Sequence, residues 1–492
     1  MALAGVGKVE VIEATNAELE AKGFTATERA LLIDGEWVET REWLDVRSPY
    51  SHDVVGRVAK GGRVEAERAV DAAARALESP LPAHKRAEIL VRVAGLIGRR
   101  HEEVARTICE EAGKPIKTAR VEASRAMSTY TFAAVEARKL AGQMVPMDAA
   151  QAGEGKLAFT VRKPIGVVGA ISPFNFPCNL VAHKLAPALA AGCPVVLKPA
   201  SATPLSALLL AELEQEAGLP PGWLNVIVGP ASEIGDVLVE DERVKLITFT
   251  GSGEVGWKLQ ERAPRKRVKL ELGNSTPVIV AEDADIDVAA TNLAGNAFAF
   301  AGQSCISVQR IYVHRPRFDA FVDSFVPKVE ALKVGDPTDD ETDVGPVIDD
   351  DARTRLREWI AESGGEVRTG GEEDGLLTPT VLANVPDEAK ISCEEAFGPV
   401  VVVNAFATVD EAIERANGTR FGLQAGVFTS SLDSALDAAD RLEFGGVVIN
   451  EAPTFRSDQM PYGGVKSSGN TKEGPAWAVR EMTEERLVVI QR

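Results

Sequence analysis

The cysteine Cys305 sits in AFAGQSCISV (residues 299–308), a run of small and polar residues that follows an alanine-rich helical stretch. A packed cysteine has larger apolar neighbours. A nucleophilic one needs access, nearby backbone N–H groups and a base within reach. This stretch alone leaves packing and chemistry evenly balanced, because free cysteine is among the most buried residue types. Four other pieces carry side chains suited to chemistry: Asn175 in PFNFP (173–177), Lys198 in VLKPAS (196–201), Glu271 in ELGN (271–274), and Glu395 with Phe397 in EEAFGPV (394–400). Each has a plain structural reading as a turn residue, a strand-end charge or half of an ion pair. Together they supply a thiol, an amide donor and a carboxylate base.

The elements that must position these residues form two alternations. Apolar runs at Ile165–Ile171, Pro194–Lys198, Leu224–Val228 and Lys245–Phe249 read as strands. Helical stretches at Leu180–Ala191, Pro204–Ala217, Ile234–Val239 and Glu254–Ala263 separate them. Continuous apolar strands alternating with helices predict a parallel, doubly wound sheet, which binds ligands beyond the carboxyl ends of its strands. No GxGxxG lies between strand and helix; FTGSGEVG from Phe249 is a weak candidate phosphate turn. A second alternation starts at Thr276, with a helix expected over Val288–Phe300 leading into the cysteine loop, and runs to GGVVIN. LLIDGEWVE from Leu31 reads as a strand, a DG turn and a strand. Residues 63–141 carry helical apolar stripes, residues 145–163 read as an extended excursion, and the tail ends in the strand ERLVVIQ. The basic cluster Arg265, Lys266, Arg267 and Lys269 reads as a solvated loop and strand end.

At 492 residues the chain predicts two or three domains. A net charge of −19 argues against nucleic-acid or anionic-membrane partners. The five cysteines are widely spaced with no CxxC pair, which fits free thiols in a reducing compartment, and the five histidines show no ligand spacing, so no metal is expected. No apolar run is long enough to span a membrane. Glu10, Glu13 and Glu18 stand where a secretory leader would be basic and apolar, so a cytoplasmic location is expected.

In this order the five pieces resemble the aldehyde dehydrogenase superfamily, over about Leu31 to Ile490. The resemblance implies an α/β, aldehyde dehydrogenase-like fold: two doubly wound α/β domains plus a β oligomerisation element. It divides the chain into an N-terminal extension (1–30), a dinucleotide-binding domain (31–144 and 164–273), a catalytic domain (274–483) and an oligomerisation element (145–163 with 484–492), and implies a homodimer or homotetramer. It further implies Cys305 as nucleophile, Asn175 with the Cys305 N–H as oxyanion hole, Glu271 as the base for a deacylating water, and Glu473 in NTKEGP as a second, proton-relaying carboxylate. For NAD or NADP it implies Ile171, Ser172, Pro173, Phe174, Lys198, Ser201, Gly251, Ser252, Leu272, Glu395 and Phe397. The chemistry stands on its own logic. A thiolate adds to the aldehyde, the adduct gives up hydride to a nicotinamide, and water releases the acid from the thioester.

Three departures from the family pattern carry expectations. Ser201 replaces a glutamate that in NAD-preferring relatives would repel a 2′-phosphate, so NADP is expected to be accepted. ELGN replaces ELGG; Asn274 can adopt the left-handed conformation glycine allows, though less cheaply, and the change leaves the reading of Glu271 intact. Ser304 stands where some relatives of anionic substrates carry a basic residue. His183, at i+8 from Asn175, and Arg456, in PTFRSDQMPYGG, are candidate substrate residues for a short polar or anionic aldehyde; their alternative readings are a satisfied core histidine and a surface salt bridge. The run SDQMPYGGVKSSG is most similar to the lactaldehyde, phosphonoacetaldehyde and non-phosphorylating glyceraldehyde-3-phosphate branches. The rival functions are a coenzyme A-acylating relative, which often lacks the glutamate at Glu271, and a non-catalytic protein on the same fold.

Overall fold

A computed structural model describes residues 27–492; most of the expected N-terminal extension lies outside the described residues. The apolar runs of the first half form the middle of a seven-stranded sheet, in the order 267–271, 244–250, 167–171, 195–198, 224–226, 31–33 and 36–38. The first five strands are parallel, and the 31–33/36–38 hairpin adds antiparallel at one edge. Val167, Val168, Ala170, Val196 and Leu197 are completely buried because helices cover both faces, as the absence of polar alternation predicts. The DG turn is present, with Asp34 and Gly35 at positive φ.

A second seven-stranded sheet has the order 366–373, 376–383, 400–406, 308–314, 276–280, 424–428 and 446–449, parallel except for the 366–373/376–383 hairpin. Separate apolar clusters form on its two faces, one with Phe298, Phe321 and Phe325, the other with Tyr312, Phe406 and Ile413. The excursion and the tail pair antiparallel: 483–491 with 156–164, and 156–164 with 144–145. No helix among the described residues is long and apolar enough to cross a membrane.

Two expectations change, and the departure at Asn274 gains its reason. The helix before the cysteine stops at Ala297, not Phe300. The basic cluster is tied down: Lys266 donates to the carbonyls of Leu238 and Asp241, Arg267 to those of Glu481 and Thr483, and Lys269 pairs with Glu481. Asn274 is not left-handed. It replaces glycine through its side chain, which donates to Thr276 Oγ1 (2.8 Å) and the Gln424 carbonyl (3.1 Å) and accepts from the Leu423 N–H (3.3 Å), tying the end of ELGN to the second sheet.

Candidate active site

The cysteine loop is built by an unusual backbone. Phe300, Ala301 and Gly302 are consecutively left-handed, at φ of 51°, 52° and 69°. For the two non-glycine residues this costs on the order of 1–2 kcal/mol each. Gly302 is needed for contact: a Cβ there would lie 2.1 Å from the Gly398 carbonyl oxygen, so the loop packs directly on the Phe397–Pro399 turn. The kink delivers Cys305 half-buried, with Sγ 2.9 Å from Tyr462 Oη.

Glu271 ends the strand 267–271 and is buried. Burial first, and the charge of Glu473 second, push its pKa up to about 8 against the opposing charges of Arg456 and Lys184, and its Oε1 has no hydrogen-bond partner among the described residues. Burial and then Glu271 likewise hold the Cys305 thiol well above its ordinary range, with Tyr462 and Arg456 opposing them. Asn175 sits on the turn between the strand 167–171 and the helix 179–191, buried, and its Nδ2 donates to the Gln303 carbonyl at 3.0 Å. The amide is therefore fastened to the cysteine loop, with its second hydrogen uncommitted and its Oδ1 unpartnered.

This turn is held from below. Lys114, fully buried, donates to the Asn175 carbonyl at 2.7 Å, pairs with Glu122, and lies 3.7 Å and 4.4 Å from the ring centres of Phe176 and Phe300. Glu122 in turn accepts from the N–H groups of Cys178 and Asn179 at the start of the helix. One ion pair thus braces both the amide turn and the residue that begins the cysteine kink. Nothing in the sequence patterning marks it.

Glu473 joins the site, buried, 2.8 Å from Arg456 Nη2 and 3.8 Å from Lys184 Nζ. Burial disfavours its charge, but Arg456 and Lys184 overcome this and keep it ionised. Lys184 also donates to Thr250 Oγ1 at 2.6 Å. Arg456 makes a buried ion pair, not a surface one. His183 is buried between Asp458 (3.2 Å) and Thr129 (3.3 Å), kept neutral first by burial, with Nδ1 unpartnered; Arg125 reaches the same Asp458 oxygen at 3.1 Å. Lys184, Thr250, Tyr462, Asp458 and Arg125 are neighbours that motif reading missed. A lysine inside the wholly buried helix Asn179–Ala191 is the signal that was available.

The residues expected to bind a dinucleotide gather at the carboxyl ends of the first sheet, where Ile171 pairs in register with Lys198. Several have unspent polar capacity. Ser172 Oγ is buried without a partner, and Lys198 Nζ, buried and held below its ordinary pKa by desolvation, donates only to the Pro199 carbonyl at 3.2 Å. Gly251 and Ser252 open the helix Gly253–Arg262, whose N-terminal N–H groups suit a phosphate. Ser201 Oγ donates to the Gly229 carbonyl (3.3 Å). Leu272 packs behind this turn, its Cδ2 2.6 Å from where a Cβ on Gly256 would lie. Glu395 is half-buried over Gly273, accepts from the Asn274 N–H at 3.0 Å, and is pushed up to about 7 first by desolvation. Phe397, itself left-handed, meets Phe174 edge-on at 5.7 Å. Pro173 precedes Phe174 on the same turn. This set of hydroxyl, ammonium, helix N-terminus and carboxylate fits a phosphorylated, ribose-bearing cofactor.

Comparison with known proteins agrees. Residues 37–488 match the aldehyde dehydrogenase family. The chain is 45% identical to 3-sulfolactaldehyde dehydrogenase of Priestia aryabhattai (94% of this chain, 97% of the relative) and 40% identical to lactaldehyde dehydrogenase of Methanocaldococcus jannaschii (94% and 100%). Among solved structures it is similar to aldehyde dehydrogenase 21 of Physcomitrella patens in complex with succinate (TM-score 0.92, 40% identity, 95% of this chain and 99% of that one). It is also similar to glyceraldehyde-3-phosphate dehydrogenase GapN of Methanocaldococcus jannaschii complexed with NADP (0.88, 39%, 92% and 100%). A match across almost the whole length, over a site that gathers a thiol, a high-pKa carboxyl and a buried amide, means that the chain belongs to the aldehyde dehydrogenase family and is an NAD(P)-dependent enzyme of aldehyde oxidation.

Proposed function

We propose that Cys305 is the nucleophile of this oxidation, Glu271 its base and Asn175 an oxyanion donor, acting on a short aldehyde that carries an anionic or hydroxyl group near the carbonyl. The observation that carries the reading is the gathering of three groups: the kinked loop that presents Cys305, a buried Glu271 whose Oε1 has no hydrogen-bond partner among the described residues, and an Asn175 amide fastened to that loop through the Gln303 carbonyl. The thiol proton passes to Glu271 as sulfur bonds to the carbonyl carbon and the carbonyl electron pair moves onto oxygen. The uncommitted Asn175 hydrogen and the Cys305 N–H stabilise that oxyanion; one such donor is worth roughly 10²–10³ in rate. Ile171–Phe174, Lys198, Ser201, Gly251, Ser252, Leu272, Glu395 and Phe397 would hold NAD(P)⁺, whose chemistry there would be to accept the hydride that turns the adduct into a thioester. The proton that Glu271 took from the thiol leaves by way of Glu473 and Lys184, which restores the carboxylate. Glu271 then takes a proton from water as the water oxygen bonds to the thioester carbon, and Cys305 leaves as thiolate. Ser201 brings no negative charge toward a 2′-phosphate, so NADP⁺ is accepted.

The substrate class rests on His183 and on the Arg125 and Arg456 guanidiniums, held by Asp458 and Glu473, as groups suited to a polar or anionic substituent, and on relatives named for sulfolactaldehyde and lactaldehyde. The division into a cofactor part (31–144 with 164–273), a catalytic part (274–483) and a strand element (145–163 with 484–492) serving a homodimer or homotetramer belongs to the same proposal, as does a cytoplasmic location. The test is a panel of 3-sulfolactaldehyde, lactaldehyde, glyceraldehyde-3-phosphate and propanal with NAD⁺ and NADP⁺. The anionic and hydroxylated aldehydes should lead in kcat/KM, and Cys305→Ala should abolish reduction of either cofactor. Propanal matching the charged substrates sinks the substrate class, activity in Cys305→Ala sinks the mechanism, and dependence on added coenzyme A replaces water as acceptor.

A further inference from the structure

Cys305 Sγ has one side-chain hydrogen-bond partner, and it is a residue that the roles above leave unused. Tyr462 Oη lies 2.9 Å from the sulfur, and the tyrosine is buried at 2% exposure. Its position is fixed from several sides. Its N–H donates to the carbonyls of Met460 and Glu473, and the Glu473 N–H returns a bond to the Tyr462 carbonyl. The Arg456 guanidinium lies 3.8 Å from the ring centre while bonded to the Glu473 carboxylate. Ile306 and Leu423 pack around the ring with Cys305 itself. The following glycines allow the loop this close approach: at Gly463, with φ of 158°, a Cβ would lie 2.0 Å from the Thr471 carbonyl oxygen. A phenyl ring would satisfy all of this packing. The hydroxyl adds only one thing, the contact with sulfur.

We propose that Tyr462 is a catalytic hydrogen-bond donor to Cys305, stabilising the negative charge on sulfur as its proton passes to Glu271 and the aldehyde adds. The proposal rests on Cys305 being the nucleophile. The charged and titratable groups facing the sulfur are Glu271, Glu395, Arg456 and Tyr462. The two carboxyls oppose a negative sulfur; Arg456 favours it through space and Tyr462 by direct donation. Once the S–C bond forms, the sulfur is a poor acceptor, and the hydroxyl is released toward oxygens of the bound substrate. The bond is therefore strongest to the reactive state of the thiol and weakest to the adduct.

The test compares the pH dependence of Cys305 alkylation by iodoacetamide, read by peptide mass spectrometry, in the wild-type enzyme and in Tyr462→Phe, with thermal melts to verify folding. Loss of a donor to an ionised group raises the alkylation midpoint by about one pH unit and slows labelling at neutral pH about tenfold. kcat/KM at neutral pH falls in parallel, while the melting temperature stays close to that of the wild type. An unchanged midpoint and labelling rate in a folded Tyr462→Phe protein overturn the donor role. If alkylating Cys305 leaves wild-type turnover intact, the nucleophile reading fails instead, so the two failures are distinct.

Discussion

Arg456 Nη2 lies 2.8 Å from Glu473 Oε2, and both side chains are nearly buried, at 5% and 8% exposure. Removing one partner leaves the other charge buried without compensation, which costs about 3–5 kcal/mol. Arg456→Gln is therefore expected to lower the denaturant midpoint sharply, because Lys184, 3.8 Å from the other Glu473 oxygen, is a weaker partner. Adding Glu473→Gln should recover most of the loss. Strictly additive losses in the double variant, measured by urea melts, would show that the pair is not coupled.

Glu271→Gln keeps the shape of the carboxyl and removes the base. Thioester hydrolysis should slow by about 10²–10⁴, and intact-mass measurement should find an acyl group on the protein during turnover. In the wild-type enzyme the base must be deprotonated, and burial pushes Glu271 up to about 8. A hydrolysis-limited kcat therefore rises with pH and levels off above that value. A flat profile across pH 6 to 9 would assign the base elsewhere.

The parallel strands were readable because a strand buried on both faces is written as an unbroken apolar run, as in Val167–Ile171. Elements that lie on the surface were not. The helix Asp350–Ala361 buries only Leu356, and the strand Glu366–Glu373 is almost wholly exposed, so neither carries an apolar period. In the site, Cys305, Glu271 and Asn175 stand in local motifs. Lys184, Tyr462 and the Lys114–Glu122 pair act through burial and through partners more than a hundred residues away or on another helix, which spacing does not encode. Asn274 shows a different limit: the sequence marks the departure from glycine, but not the side-chain bonds that let asparagine stand there without a left-handed backbone.

Ser201 Oγ, three residues after Lys198, bonds only the Gly229 carbonyl. Placing a carboxylate there by Ser201→Glu sets a charge against a 2′-phosphate carrying nearly two negative charges. The ratio of kcat/KM for NADP⁺ over NAD⁺ should fall by about tenfold or more. Steady-state kinetics with both cofactors check this, and an unchanged ratio would remove Ser201 from the discriminating contacts.

Glu214 is buried and accepts from the Tyr130 hydroxyl, yet burial dominates and lifts its pKa from 4.5 to about 7. Between these two values the folded chain holds the proton more tightly than the unfolded one. Stability from this group is therefore complete below pH 4.5 and is lost as pH rises to about 7. The loss is up to about 1.4 kcal/mol per pH unit, on the order of 3 kcal/mol in all. Glu214→Gln keeps an acceptor for Tyr130 and removes the titration. Relative to the wild type, it should gain stability from about pH 5 to about pH 7 and level off above that. Urea melts across that range read the difference directly: parallel curves for the two proteins would mean that Glu214 is already ionised in the fold, with the Tyr130 hydroxyl sufficient to hold its charge.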